Sequence, residues 1–300
     1  MKKKINLLSY VIAIALLCNF FVLYKFYRSY KKQNLNKANY LYVGSNIGLA
    51  NLDQDIKIFF NTHDNTIGYQ LMMSNTWETK LSKIMLNFVN PGDNIIDLGA
   101  NYGTHSLRMA KKMNGQGKIY AFEANPKVFN LLRKSSIVNG LHSLIEPFNL
   151  LITDKNDEQY VFLYTDDFNV GGSKILSAND SKCKNCDFDK TIELSSSKLD
   201  TIIPVGTKIN FMKMDIEGSE FLALAGAERV LNESIDDIVI LMEWNYRLLT
   251  NPIEKIEQLV SKYGFKIWLV QGEEIVRIEN LENLKIQFGD ILLSRKELKI

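Results

Sequence analysis

Short apolar runs alternate with helically spaced segments along most of this sequence. That pattern predicts an α/β fold, with a parallel sheet covered by helices on both faces and one apolar N-terminal helix ahead of it. Three observations carry the expectation. The runs at 94–98, 118–122 and 210–214 are each of strand length and each precede a segment of helical period. A carboxylate stands at or just after the end of each run: Asp97, Glu123 and Asp215. The segment from Ile5 to Tyr24 contains no charged residue.

The bulk composition narrows the class. Of 300 residues, 46% are apolar and 23% charged, which is enough to build a packed core. Lys and Arg total 36 against 34 for Asp and Glu, a net charge of +2 that argues against nucleic acid as a main partner. There are three cysteines. Cys18 lies in the apolar segment, and Cys183 and Cys186 form a lone CxxC in a polar stretch. No second pair completes a zinc ligand set, so these two read as loop thiols and no metal is required.

In chain order, residues 1–30 read as a membrane anchor. As a helix, Ile5–Tyr24 would span about 30 Å, the thickness of a bilayer core. Basic residues flank it on both sides, with Lys25, Arg28, Lys31 and Lys32 making the downstream flank slightly richer. That bias places the remainder on the cytosolic side. The residues from Cys18 to Tyr24 are too bulky for a cleavage site. Residues 31–75 read as a linker and small pre-domain with one strand at Lys57–Phe60. Leu81, Ile84, Met85 and Phe88 then mark a helix, which Pro91-Gly92-Asp93 ends.

From there strand and helix alternate. Asn94–Leu98 precedes a helix carrying Leu107, Ala110 and Met113, and Lys118–Phe122 precedes a helix opened by Asn125-Pro126 and stopped at Asn139-Gly140. Further strands are expected at Leu144–Leu150, Asn210–Met214, Asp237–Glu243, Phe265–Val270 and Ile291–Ser294, with helices at Phe221–Leu231 and Ile253–Tyr263. The segment 155–200 breaks the rhythm. Tyr160–Tyr164 and Thr191–Leu194 read there as a hairpin-like pair around a polar loop, an insertion of the kind that shapes access to a site.

In an open α/β sheet the ligand crevice lies at the carboxyl ends of the strands, where strand order reverses. Asp97-Leu-Gly99-Ala-Asn101-Tyr-Gly103 follows the first strand, Glu123 the second, and Asp215-Ile-Glu217-Gly218 the fourth. Gly99 and Gly103 let backbone approach a ligand, but Asp97 would repel the pyrophosphate of a dinucleotide. Three acids at one crevice suit a ligand with an ammonium and a sulfonium, and Glu123 stands where an acid receives ribose hydroxyls. S-adenosyl-L-methionine has that charge pattern. A plainer reading also stands for each residue. The glycines can serve only the turn, Asn125 only a helix cap, and Asp215 and Glu217 only a helix start.

The runs Asp97–Leu107, Ala121–Pro126, Leu199–Ile202 and Phe211–Glu220 closely resemble the FkbM family of methyltransferases, as does Asn169-Val-Gly-Gly-Ser. The likeness extends from Trp77-Glu78 to Ser294, so 76–300 is expected to be one FkbM-like domain. It implies a Rossmann-like seven-stranded sheet whose last strand is antiparallel, S-adenosyl-L-methionine as donor, and usually O-methylation. Carried over by position, Glu78, Asp97, Gly99, Asn101, Gly103, Glu123 and Asn125 would hold the cofactor, and Asp215 would sit beside the transferable methyl. Ala124 departs from the proline many members carry there.

For methyl transfer to a neutral hydroxyl, a general base helps. Asp215, Glu217 and His105 are the catalytic candidates, with Glu243 also weighed. The expected acceptor is a hydroxyl of a sugar, glycan or lipid-linked molecule near the membrane. A nicotinamide-dependent oxidoreductase on the same fold is the alternative, opposed by the missing GxGxxG. A non-catalytic membrane-tethered scaffold is the other.

Overall fold

A computed structural model describes residues 23–25, 39–164, 169–175, 190–249, 251–285 and 288–299. The expected anchor lies almost wholly outside these residues, as do Cys18, Cys183 and Cys186. Among the described residues no helix is long and apolar enough to cross a membrane. Tyr40–Ile300 forms one compact unit.

That unit begins with an antiparallel meander of β1 (Tyr40–Gly44), β2 (Ile47–Leu52) and β3 (Ile56–Asn61), followed by helices α1 (Ile67–Ser74) and α2 (Thr79–Leu86). A separate pre-domain over 31–75 is therefore corrected. Ile58, Phe60 and Leu71 are buried in the same core as Ile95, Leu107 and Leu132, so the meander is part of the main domain. The single strand expected there is one of three. Strands β1 and β2 carry Gly44 and Gly48 and have apolar residues at successive positions, which blurs their alternation.

The main sheet is built from β4 (Asn94–Leu98), β5 (Lys118–Phe122), β6 (Ile145–Phe148), β11 (Phe211–Met214), β12 (Val239–Asn245), β13 (Lys266–Gln271), β14 (Glu274–Ile278) and β15 (Phe288–Ser294). Its order is β14-β13-β15-β12-β11-β4-β5-β6. The five strands from β12 to β6 are mutually parallel, and β15 runs antiparallel to both β12 and β13. The sheet thus has eight strands rather than seven. The addition, β14, forms a hairpin with β13 through a turn at Gly272 and extends one edge. Parallel strands are covered on both faces, so their sequences read as continuous apolar runs. Ile95 packs on the face that carries α3 (Thr104–Lys112), α4 (Pro126–Val138) and the meander. Ile96 packs on the opposite face, beside α7 (Glu228–Ser234) and α8 (Pro252–Tyr263).

The helix expected over Phe221–Leu231 is divided into α6 (Glu220–Ala225) and α7. Gly226 stands at the division, where a Cβ would come within 2.0 Å of the Thr153 carbonyl oxygen. The 155–200 segment pairs as expected. β8 (Gln159–Tyr164) and β10 (Lys190–Ser197) are antiparallel, with Leu163 opposite Thr191. They form a small sheet with β7 (Leu151–Ile152) and β9 (Lys174–Ile175), and helix α5 (Leu199–Ile202) follows it. Strand order reverses between β4 and β11, so the switch point lies above the carboxyl ends of these two strands.

Candidate active site

A cavity of about 250 Å³ opens at that switch point. The turn from β4 into α3 forms one wall. Gly99 (φ +75°), Asn101 (φ +51°) and Gly103 (φ +93°) are all left-handed. A Cβ on Gly99 would lie 1.9 Å from the Asp215 carbonyl oxygen, so glycine alone lets the end of β4 lie this close to β11. Asn101 tolerates its conformation because its side-chain oxygen accepts from the Tyr102 amide at 2.8 Å.

Glu123 is clamped at two points. One carboxylate oxygen accepts from the Asn101 amide at 2.9 Å and the other from the Asn125 amide at 2.8 Å. Burial pushes its pKa up to about 7, against the lowering effect of these two amides. The carboxylate lines the cavity, and each oxygen keeps an acceptor site beyond the amide it already binds. Asn125 does not line the cavity. Its side-chain oxygen accepts from the Lys127 amide at 3.0 Å and caps α4, so the plainer of its two readings describes its contacts. Asn125→Ala is expected to cost about 1 kcal/mol of folding stability. A thermal melt shifted down by a few degrees with unchanged cofactor affinity is the expected result; a large affinity loss would give Asn125 a binding role.

Asp97 is corrected in its placement. The charge argument expects it to project into the crevice, but it is fully buried and outside the cavity lining. The register sets Asp97 beside Lys213 on neighbouring strands, so both side chains leave the same face of the sheet. Asp97 accepts from the Ser106 hydroxyl at 2.5 Å, and its other oxygen lies 3.9 Å from the Lys213 ammonium. Lys213 also meets Asp215 at 3.3 Å. Burial disfavours the Lys213 cation, but Asp215, Asp97 and Glu78 outweigh that and hold its pKa above the ordinary value. Gly103 likewise stays outside the lining; it turns the chain into α3 beneath Leu132.

Above Lys213 the acids gather. Asp215, Glu217 and Glu243 each bring one oxygen to within 4.8 Å of the others, and all three line the cavity. The trio offers three oxygen ligands of the kind a hard cation takes, although the sequence spacing required none. Burial, then the charges of Asp215 and Glu220, raise Glu217 to about 7. Burial, then Asp215 and Glu217, raise Glu243 to about 9. Glu220 is almost fully buried and accepts from the Ile216 and Gly218 amides at 3.1 and 3.3 Å, which holds Glu217 in its left-handed conformation (φ +52°).

His105 and Glu78 form a separate pair on the wall. His105 Nε2 lies 2.9 Å from a Glu78 oxygen, and Nδ1 lies 3.5 Å from the Ser82 hydroxyl. Burial raises the Glu78 carboxyl, but the hydrogen bond and charge of His105 outweigh it and the net shift is downward. Both residues line the cavity, but His105 is not in the acidic trio. Further lining comes from Thr66 and Ile67 at the start of α1, Leu150–Ile152, Phe162, and the stretches Asn169–Gly171 and Ser173–Ile175. The sequence resemblance signals only the glycine-containing loop among these. Thr66 and Ile67 arrive from the meander end of the domain, where no motif marks them.

A family model described as the methyltransferase FkbM domain matches residues 97–267. No curated protein matches the chain. Among solved structures, the FkbM methyltransferase from Methylobacillus flagellatus KT is 16% identical, covering 68% of this chain and 44% of that one, with a TM-score of 0.44. The chain therefore spans less than half of that protein's length. An S-adenosylmethionine-dependent O-methyltransferase from Thermotoga maritima is 12% identical, covering 74% of this chain and 67% of that one, with a TM-score of 0.40. An O-methyltransferase from Bacillus cereus in complex with SAH is also 12% identical, covering 72% and 80%, with a TM-score of 0.41. The matched family segment takes in more than half of the 300 residues, from the buried carboxylate of β4 into the start of β13, and the chain belongs to the FkbM family of S-adenosylmethionine-dependent methyltransferases.

Proposed function

We propose that this protein transfers the methyl group of S-adenosylmethionine to a hydroxyl of a sugar, glycan or lipid-linked acceptor. One observation carries the reading: a clamped carboxylate and an acidic trio share a single cavity across four adjacent strands. Glu123 follows β5 and Glu243 lies in β12, three strands away, which at the usual strand spacing is roughly 14 Å. An elongated ligand with a diol at one end and a cationic centre toward the other suits that span. The cavity fits such a ligand in charge as well. Among the described residues, Glu78, Glu123, Asp215, Glu217 and Glu243 line it against only Lys174 and Lys213.

When bound, S-adenosylmethionine supplies an electrophilic methyl on a sulfonium. Glu123 would accept from the two ribose hydroxyls through its free acceptor sites. Glu78, fixed by His105, would face the ammonium. Asp215 and Glu217 would orient the acceptor hydroxyl, and proximity of that kind is the largest share of what a methyl transfer needs. Glu217 would take the hydroxyl proton, since a base poised near 7 is matched to neutral conditions. At saturating S-adenosylmethionine, kcat is therefore expected to rise with pH through about 7 and to fall below it, where a protonated Glu217 has no site for the proton. Glu217→Gln should abolish that limb and lower kcat by roughly 10²–10⁴-fold. An unchanged pH profile in the variant would assign the base elsewhere, with Asp215 and His105 the next candidates.

The apolar segment Ile5–Tyr24 would tether the domain to a membrane on its cytosolic side, close to membrane-borne acceptors. Protease protection and alkaline extraction of host membranes test the tether. Titration calorimetry tests the cofactor: saturable binding is expected, and none at millimolar ligand would end the reading. Labelled methyl donor added to host membranes, followed by isolation of the labelled product, identifies the acceptor.

A further inference from the structure

We propose that Phe288, with Asn245, Glu243 and Asp290, forms a subsite that holds one neutral pyranose ring of the methyl acceptor. The inference deepens the reading above and rests on the acceptor being a sugar.

The argument starts from register. β12 and β15 are antiparallel, with Glu243 opposite Asp290 and Asn245 opposite Phe288. Residues directly opposite each other share a face, and residues two apart along a strand share it too. All four side chains therefore leave one face of the sheet, while Trp244 between them is fully buried on the other. Glu243 belongs to the cavity lining, so the face continues outward from the acidic trio. The Phe288–Asn245 pair lies one step beyond the Glu243–Asp290 pair, roughly 7 Å along the strands.

Phe288 is 73% exposed, the most exposed aromatic side chain among the described residues. An exposed phenyl ring on the sheet face of the cavity-lining Glu243, set beside an amide and one step along the strands from two carboxylates, presents an apolar platform beside a polar row. A pyranose has the matching anatomy, with a C–H face that packs on an aromatic ring and a rim of hydroxyls. A lipid chain would need continuous apolar contact, which Asn245, Glu243 and Asp290 interrupt. An anionic ring would meet the charges of Asp215 and Glu217 as well as Asp290.

The test is saturation-transfer NMR on the full chain in detergent, saturated with S-adenosylhomocysteine. The probes are the methyl glycosides of glucose, mannose, galactose and rhamnose. At least one glycoside is expected to receive saturation on its ring C–H protons. Phe288→Ala should weaken its binding at least about tenfold, and Phe288→Trp should keep it within about threefold, because the platform and not the residue identity is required. Affinity for S-adenosylhomocysteine should be equal in all three proteins. Equal glycoside binding in wild type and Phe288→Ala overturns the subsite and leaves the methyltransferase reading intact. Loss of S-adenosylhomocysteine affinity in Phe288→Ala also overturns it, since Phe288 would then act through the fold. If wild type binds S-adenosylhomocysteine but no glycoside, both the subsite and the sugar acceptor fall. If it binds neither, the cofactor assignment falls first.

Discussion

Lys213→Met is expected to lower the unfolding free energy by about 3–5 kcal/mol, the usual cost of removing one partner from a buried ion pair. The reason lies in Asp97, which is fully buried with one hydroxyl donor and one nearby cation. Without Lys213 that carboxylate faces apolar strands with a single hydrogen bond. At this chain length the loss corresponds to a fall of about 10 °C in Tm. The companion variant decides the cause. Asp97→Asn in the Lys213→Met background should restore most of the loss, because no buried charge then remains. If the double variant is no more stable than the single one, Lys213 stabilises by packing rather than by charge. The Lys213 pKa is raised in the folded state, so its contribution is complete at neutral pH and declines only under strongly alkaline conditions.

Glu123→Ala is expected to weaken S-adenosylmethionine binding by about 10- to 100-fold, the worth of one to two charge-assisted hydrogen bonds. Two backbone amides, those of Asn101 and Asn125, lose their acceptor at the same time. Glu123→Gln separates the two effects. A glutamine can accept one amide but must turn its NH₂ toward the other, so it should bind the cofactor almost as poorly as alanine. Calorimetry with both variants checks the result. Unchanged affinity in Glu123→Ala would remove Glu123 from the site. The wild-type affinity is also expected to fall as pH drops below about 7, where the carboxylate gains a proton and loses an acceptor position. Glu123→Gln should show no such fall.

The two residues show how differently a site residue can be read. Glu123 was legible because its strand ends where a crevice acid belongs, and its backbone environment is local: Asn101 and Asn125 flank it in the same pair of turns. Asp97 is legible as a carboxylate at a strand end, but its position relative to the cavity is not. Strand alternation fixed its face, and only the pairing of β4 with β11 revealed that this face holds Lys213 rather than open cavity. Glu243 shows a third case. The sequence offers it only as one candidate base among several, and its partners Asp215 and Glu217 come from a different strand and turn. Thr66 and Ile67 carried no signal at all, since a small hydroxyl and an aliphatic side chain enter the lining through the packing of α1.

From its residues alone, the chain determined its class, the carboxylates at the ends of the strands that border the switch point, and the glycine turn that follows β4. These depend on local period and on glycines at positions where a Cβ has no room. Tertiary structure decided the eighth strand, the inclusion of the meander in the main core, and the burial of Asp97 away from the cavity. It also decided which acids share a proton-rich cluster. Each of these turns on contacts between segments far apart in the chain. The energy of such contacts comes from desolvation and cross-strand neighbours, which no local pattern of residues encodes.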